Sequence, residues 1–121
     1  MYKFKSPVIH DNIWKVYLRS SKELNEMSNK DYKKEDTVKA ILDYINLTIY
    51  IDKDLDDIEF KKTLREKLIN LYLWETGQQC HIFTLEDFCE LTSVAAPLIC
   101  ETADYIVAEI KNKNKKGAKK W

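Results

Sequence analysis

The sequence predicts an α+β domain in which a small sheet of about three strands packs against a central helix and a long C-terminal helix. Three periodicities carry that expectation. Phe60, Leu64, Leu68 and Leu71 recur every three or four residues and form one stripe of a helix. Trp14, Val16 and Leu18 alternate as one face of a strand does. Phe88, Leu91, Val94 or Ala95, Leu98, Ile99, Thr102, Ile106 and Ile110 trace one face of a second, longer helix.

From the N-terminus, Tyr2 to Asn12 reads as an extended arm interrupted by Pro7, leading into a strand over Ile13 to Leu18. Ser20 to Met27 reads as a short helix, since Ser20 or Ser21 offers a hydroxyl to a free amide of its first turn. Asn29 to Asp36 is polar and reads as a loop. Over Val38 to Ile51 helix and strand compete. The β-branched and aromatic run Leu47-Thr48-Ile49-Tyr50-Ile51 favours a hairpin with Val38 to Asp43, turning at Tyr44-Ile45-Asn46 with Asn46 in the left-handed region. Asp54, Asp56 and Asp57 then sit where a helix macrodipole is positive.

Gly77 ends the central helix, because it takes a left-handed cap without a Cβ penalty. Gln78 to Phe83 reads as a loop or brief strand, and Thr84-Leu85-Glu86-Asp87 as a capping box opening the last helix. Pro97 lies inside that helix and predicts a kink or the meeting of two helices.

One domain over residues 1–121, with a basic tail at 111–121, is what 121 residues of 45% hydrophobic and 33% charged composition support. Lys plus Arg and Asp plus Glu each number 20, so a strongly basic nucleic-acid-binding surface is not indicated. Charge is nevertheless segregated. Asp52, Asp54, Asp56, Asp57 and Glu59 form an acidic run, and Lys113, Lys115, Lys116, Lys119 and Lys120 a cationic one, ending near Trp121 as a possible stacking anchor. Three unpaired-looking cysteines, and an N-terminus without an apolar secretory core, point to the cytoplasm. No apolar run approaches the roughly 20 residues of a membrane span.

Ile49-Tyr50-Ile51-Asp52-Lys53-Asp54-Leu55, Thr63-Leu64, Leu68 and Leu73-Trp74-Glu75 together resemble small phage-type metallopeptidase-like proteins, relatives of the ImmA/IrrE zincins. Family helices carry two histidines one turn apart that hold zinc, with a glutamate between them that acts on the bound water. The resemblance places Glu66 at the first histidine, Lys67 at the glutamate and Asn70 at the second histidine. It also aligns Glu86-Asp87-Phe88-Cys89-Glu90-Leu91 with the segment supplying the third ligand, so that Glu90 takes that position. The implied protein is a zincin-like minimal domain whose H-E-x-x-H motif is degenerate. Glu66, Lys67, Asn70 and Glu90 would then form an extinct site, with Lys67 pairing with Glu66 or Glu90 in place of the metal, or else with Glu66 and Lys67 pointing to water as ordinary surface charges.

No catalytic residue and no cofactor is assigned on this reading. The expected function is that of a non-catalytic phage or prophage protein that binds a host protein, as an inhibitor of a defence nuclease of the CRISPR type. The acidic run and the lysine tail are its candidate contact surfaces, with nucleic acid as another partner for the tail. The alternative is a metalloprotein, either a residual peptidase or a structural zinc site at Cys80, His81 and Cys89, with Glu90 or Cys100 nearby. A role as a prophage transcriptional accessory is a third expectation. His10, in the arm, reads as an exposed histidine, and no serine nucleophile or phosphate-binding glycine loop is present. Tyr50, Tyr72, Trp74 and Tyr105 read as core-finishing residues or, alternatively, as an aromatic contact surface.

Overall fold

The computed structural model describes residues 1–9, 11–28, 38–77 and 84–119, with side chains described through residue 114. The chain is α+β. Its elements in order are β1 (Tyr2–Lys5), β2 (Ile13–Arg19), α1 (Ser21–Ser28), β3 (Ala40–Asp43), β4 (Thr48–Asp52), α2 (Asp57–Glu75), α3 (Leu85–Glu90), a π-helical turn (Leu91–Ala95) and α4 (Ala96–Lys119). The sheet is mixed and runs β1-β2-β4-β3. Its central pair, β2 and β4, is parallel, with Val16 opposite Ile49 and Leu18 opposite Ile51, while β1 and β3 flank it antiparallel.

The predicted hairpin forms as β3 and β4. The left-handed residue of its turn is Leu47 at φ 49°, not Asn46. The Asp43 carboxylate accepts from the Ile45 and Asn46 amides at 3.0 and 3.1 Å and holds the loop one residue ahead of that position. The sheet has four strands, not about three. The fourth is β1, drawn from the stretch read as an arm, where Phe4 lies opposite Trp14 and is buried with it.

Phe4, Trp14, Val16, Ala40, Ile49 and Ile51 form the sheet side of a single core, closed by Leu64, Leu68 and Leu71 of α2 and by Ala95, Ile99, Ala103, Ile106 and Ile110 of the C-terminal rod. Asp56 caps α2 through the Glu59 amide at 2.8 Å, and Gly77 ends it with a φ of 73°. Lys61 Nζ lies 2.7 Å from Asp104 and Arg65 Nη2 3.9 Å from it, so the α2–α4 seam carries a charged rim.

Two departures from the predicted pattern matter for function. First, the Thr84–Asp87 capping box forms, but the last helix passes through a π-turn before Pro97. Proline removes the hydrogen bond to the carbonyl one turn back and crowds it. The chain answers by widening: the Ala96 amide donates to the Leu91 carbonyl five residues earlier, and the Thr92 hydroxyl donates to the Phe88 carbonyl at 2.9 Å. Ala95, Ile99, Ile106 and Ile110 of the predicted face are buried, Ala95 taking the place offered to it or Val94, and Ala103 joins them; Phe88 and Leu98, predicted for the same face, are exposed.

Second, the rod Leu85–Asn114 is long and apolar enough to cross a membrane by length and composition, unlike the expectation from apolar runs. In this domain its inner face is part of the core, and Asp104, near its middle, pairs with Lys61 and Arg65.

A polar knot ties the β1–β2 connection to the end of α2. The fully buried Ser6 hydroxyl donates to Glu75 Oε1 and accepts from the Val8 and Ile9 amides at 3.1 and 3.2 Å, while Asn12 Nδ2 donates to Glu75 Oε2 at 2.7 Å. Removing the carboxylate strands these donors, so Glu75→Ala should cost about 1–3 kcal/mol in chemical denaturation. Asn70→Ala, on the exposed side of the same helix, should stay within about 0.5 kcal/mol.

Candidate functional site

Burial of Leu64, Leu68 and Leu71 sets the rotation of α2 and therefore the direction of every other residue on it. Glu66 and Asn70 are exposed, and Lys67 is half-buried. Glu66 contributes to the field that raises the Lys39 pKa, behind the larger effects of the Glu59 hydrogen bond and charge, which places Glu66 toward the β3 side of α2. Glu90 acts instead on Tyr72, whose phenol is pushed up first by burial and then by the charges of Glu90 and Asp87. Lys67 and Tyr72 are five residues apart, about 140° around a helix of 3.6 residues per turn.

Lys67 therefore stands on a different side of α2 from Tyr72. Among the described residues no ion pair joins Lys67 to Glu66 or Glu90. The predicted pairing does not form, because the leucine stripe that α2 must bury turns Lys67 away from α3. Glutamate, lysine and asparagine also lack the imidazoles of a catalytic zinc site, so the residues present do not fit the ion that the resemblance implies.

Of the alternative zinc site only Cys89 and its neighbours Glu90 and Cys100 lie within the described residues. Cys89 is an exposed free thiol on α3, Cys100 is half-buried, and Cys80 and His81 lie outside the described residues, as does His10. Among the described residues no three His, Cys, Asp or Glu side chains stand where they could share a metal ion.

Local structure uses most of the acidic run. Asp52 is buried and accepts from the Asp54 amide at 2.9 Å, Asp56 is the α2 cap, and Glu59 lies 2.5 Å from Lys39. That lysine hydrogen bond is the main reason the Glu59 pKa falls below its ordinary value. Asp54 and Asp57 remain as exposed carboxylates. In the basic run, helix α4 continues through Lys119 and Lys113 Nζ lies 5.0 Å from the Tyr2 ring centroid. The side chains of Lys115, Lys116, Lys119 and Lys120, and Trp121, lie outside the described residues.

The aromatic residues do not make one surface. Trp74 packs edge-on to Trp14 at 6.2 Å and against Tyr44 at 4.8 Å, whereas Tyr50 stacks on Tyr17 at 5.7 Å under Arg19. Tyr105 is exposed elsewhere, on α4.

What the structure brings together is a different site. Leu85, Phe88, Val94, Leu98 and Tyr105 are all exposed on the α3–α4 rod, at 78%, 53%, 57%, 42% and 52% of their full accessibility. Leu98 and Tyr105 also form one wall of a groove of about 770 Å³, with Phe4, Ser6 and Ile13 opposite. Sequence periodicity assigned Phe88 and Leu98 to the core, with Val94 as the alternative to Ala95; Phe88 and Leu98 are exposed, and Ala95 is the buried member of its pair. No protein-family model, curated protein or solved structure matches the chain.

The placement of Lys67 away from Tyr72 is open to titration. Tyr72 should ionise above the ordinary tyrosine range when followed by NMR, Glu90→Gln should lower its midpoint, and Lys67→Met should leave it in place. A midpoint that responds to Lys67→Met and ignores Glu90→Gln would return Lys67 to the α3 side.

Proposed function

We propose that this chain is a non-catalytic protein that binds another protein through the outer surface of α3 and α4. The observation that carries this reading is the number of large apolar and aromatic side chains, Leu85, Phe88, Val94, Leu98 and Tyr105, left exposed on a rod that also serves the core. From Leu85 to Tyr105 they are spread over about 30 Å at a rise of about 1.5 Å per residue. Apolar and aromatic side chains grouped on an exposed face mark interaction sites, and phenylalanine and tyrosine are enriched at the centres of such interfaces.

The degenerate motif supports the non-catalytic half of the reading, since Glu66, Lys67 and Asn70 supply neither a zinc ligand set nor a base placed beside one. A zincin-like ancestry, and a setting in which a phage or prophage protein acts on a host protein in the cytoplasm, rest on the sequence resemblance. They name the first partners to try, host defence nucleases among them.

Phe88→Glu combined with Val94→Glu tests the surface without touching the core. Stability should change by no more than about 0.5 kcal/mol per substitution, because both side chains are exposed. A stoichiometric complex with a host protein should form with the unaltered chain and weaken at least tenfold in the double variant. A complex indifferent to both substitutions, or a purified protein carrying one zinc per chain whose removal lowers the melting temperature, would contradict the proposal.

A further inference from the structure

We infer that the open edge of β1, with the groove between it and α4, receives an extended segment of a partner protein in which acidic and apolar residues alternate. The inference rests on the binding-protein reading above and gives the partner segment its chemistry.

Among the described residues, strand β1 pairs with β2 alone and is one margin of the sheet. The Lys15 amide donates to the Leu47 carbonyl at 3.0 Å, on the side of β2 away from β1. Lys3, directly opposite Lys15, is therefore at a non-hydrogen-bonded position, and its own N–H and C=O point outward from the sheet. The alternation repeats at Lys5, opposite Ile13, and the Ser6 amide donating to Asn12 O at 3.0 Å confirms the phase. Two residues thus offer a ladder of donors and acceptors to an added strand, the mode by which sheets recruit extended peptides.

Side chains decide what that strand must be. Lys3 and Lys5 are exposed on the face of β1 opposite buried Phe4, and Lys15 stands across from Lys3 on the same face. Like charges directly opposite in a sheet repel, and among the described residues none of these three lysines has an ion-pair partner. Acidic residues on that face of an added strand would relieve the repulsion. On the other face, alternate residues fall into the groove, whose lining carries Lys3, Lys5 and Glu101 besides Phe4, Ile13, Leu98 and Tyr105, and apolar side chains fit the walls that these last four make. A second copy of this chain is a poor occupant, because its own β1 would bring a matching row of lysines to the seam.

The probe is a capped hexapeptide alternating valine and glutamate, added to the full chain while amide exchange is followed by NMR. Exchange at Lys3 and Lys5 should slow at least tenfold. A valine–lysine peptide, or a valine–glutamate peptide N-methylated at every residue, should produce no slowing. Lys3→Glu with Lys5→Glu should reverse the preference toward the lysine peptide, and Leu98→Asp should remove binding without shifting the melting temperature. Unchanged exchange with the glutamate peptide, or a dimer in sedimentation whose Lys3 and Lys5 amides are already protected without peptide, would overturn the inference. The two readings separate: a host-protein complex that survives Lys3→Glu and Lys5→Glu but is lost with Phe88→Glu and Val94→Glu removes the β1 groove alone, whereas a complex indifferent to Phe88→Glu and Val94→Glu removes the wider reading.

Discussion

Burial of Leu64, Leu68 and Leu71 between the sheet and the C-terminal rod is the constraint on which the rest of the molecule depends. A helix has one rotational setting that hides such a stripe, and adopting it assigns every other side chain a direction. It sends Lys61 and Arg65 to Asp104 at the α4 seam, Trp74 to Trp14 and Tyr44, and Glu75 to the Ser6–Asn12 knot. Glu66 and Asn70 are left to solvent. Fully burying a leucine is worth about 1.5–3 kcal/mol, more than an exposed Lys67 ion pair at roughly 0–1 kcal/mol would return, so packing decides the orientation.

This ranking also explains what was legible in the sequence. The α2 stripe, its Asp56 and Gly77 ends, the Thr84 capping box and the β3–β4 hairpin each rest on local chemistry, and each forms. β1 was hidden because its alternation, Tyr2 and Phe4 inward with Lys3 and Lys5 outward, lasts only four residues and its partner strand begins beyond Pro7. Most of the C-terminal rod's face was legible from its period, Leu91, Ala95, Ile99, Ile106 and Ile110 all meeting the core, and it missed at its flanks, where Phe88 and Leu98 are exposed. The candidate site was the least legible part. A motif aligned position by position says nothing about helix rotation, and Lys67 stands on a different side of α2 from Tyr72, on which Glu90 acts.

The acidic run illustrates how polar residues that look functional are absorbed locally. A buried Asp52, a capping Asp56 and a paired Glu59 leave only Asp54 and Asp57 of the five for anything else. Conversely, the surfaces with unspent capacity were ones that composition concealed: apolar residues outside the core on α3 and α4, and the unpaired margin of β1 beside them. Leu98 and Tyr105 belong to both the groove and the exposed set on the rod.

Solvent paramagnetic relaxation of the full chain, with a soluble gadolinium chelate, tests this division of faces most directly. The account predicts shielded methyls at Leu64, Leu68, Leu71, Ile99 and Ile106, together with strong relaxation at the Asn70 side-chain amide, the Phe88 ring and the Val94 and Leu98 methyls. Shielding of Asn70 and Glu90 together, with Phe88 and Val94 quiet, would reveal an enclosed cleft at the motif and contradict it.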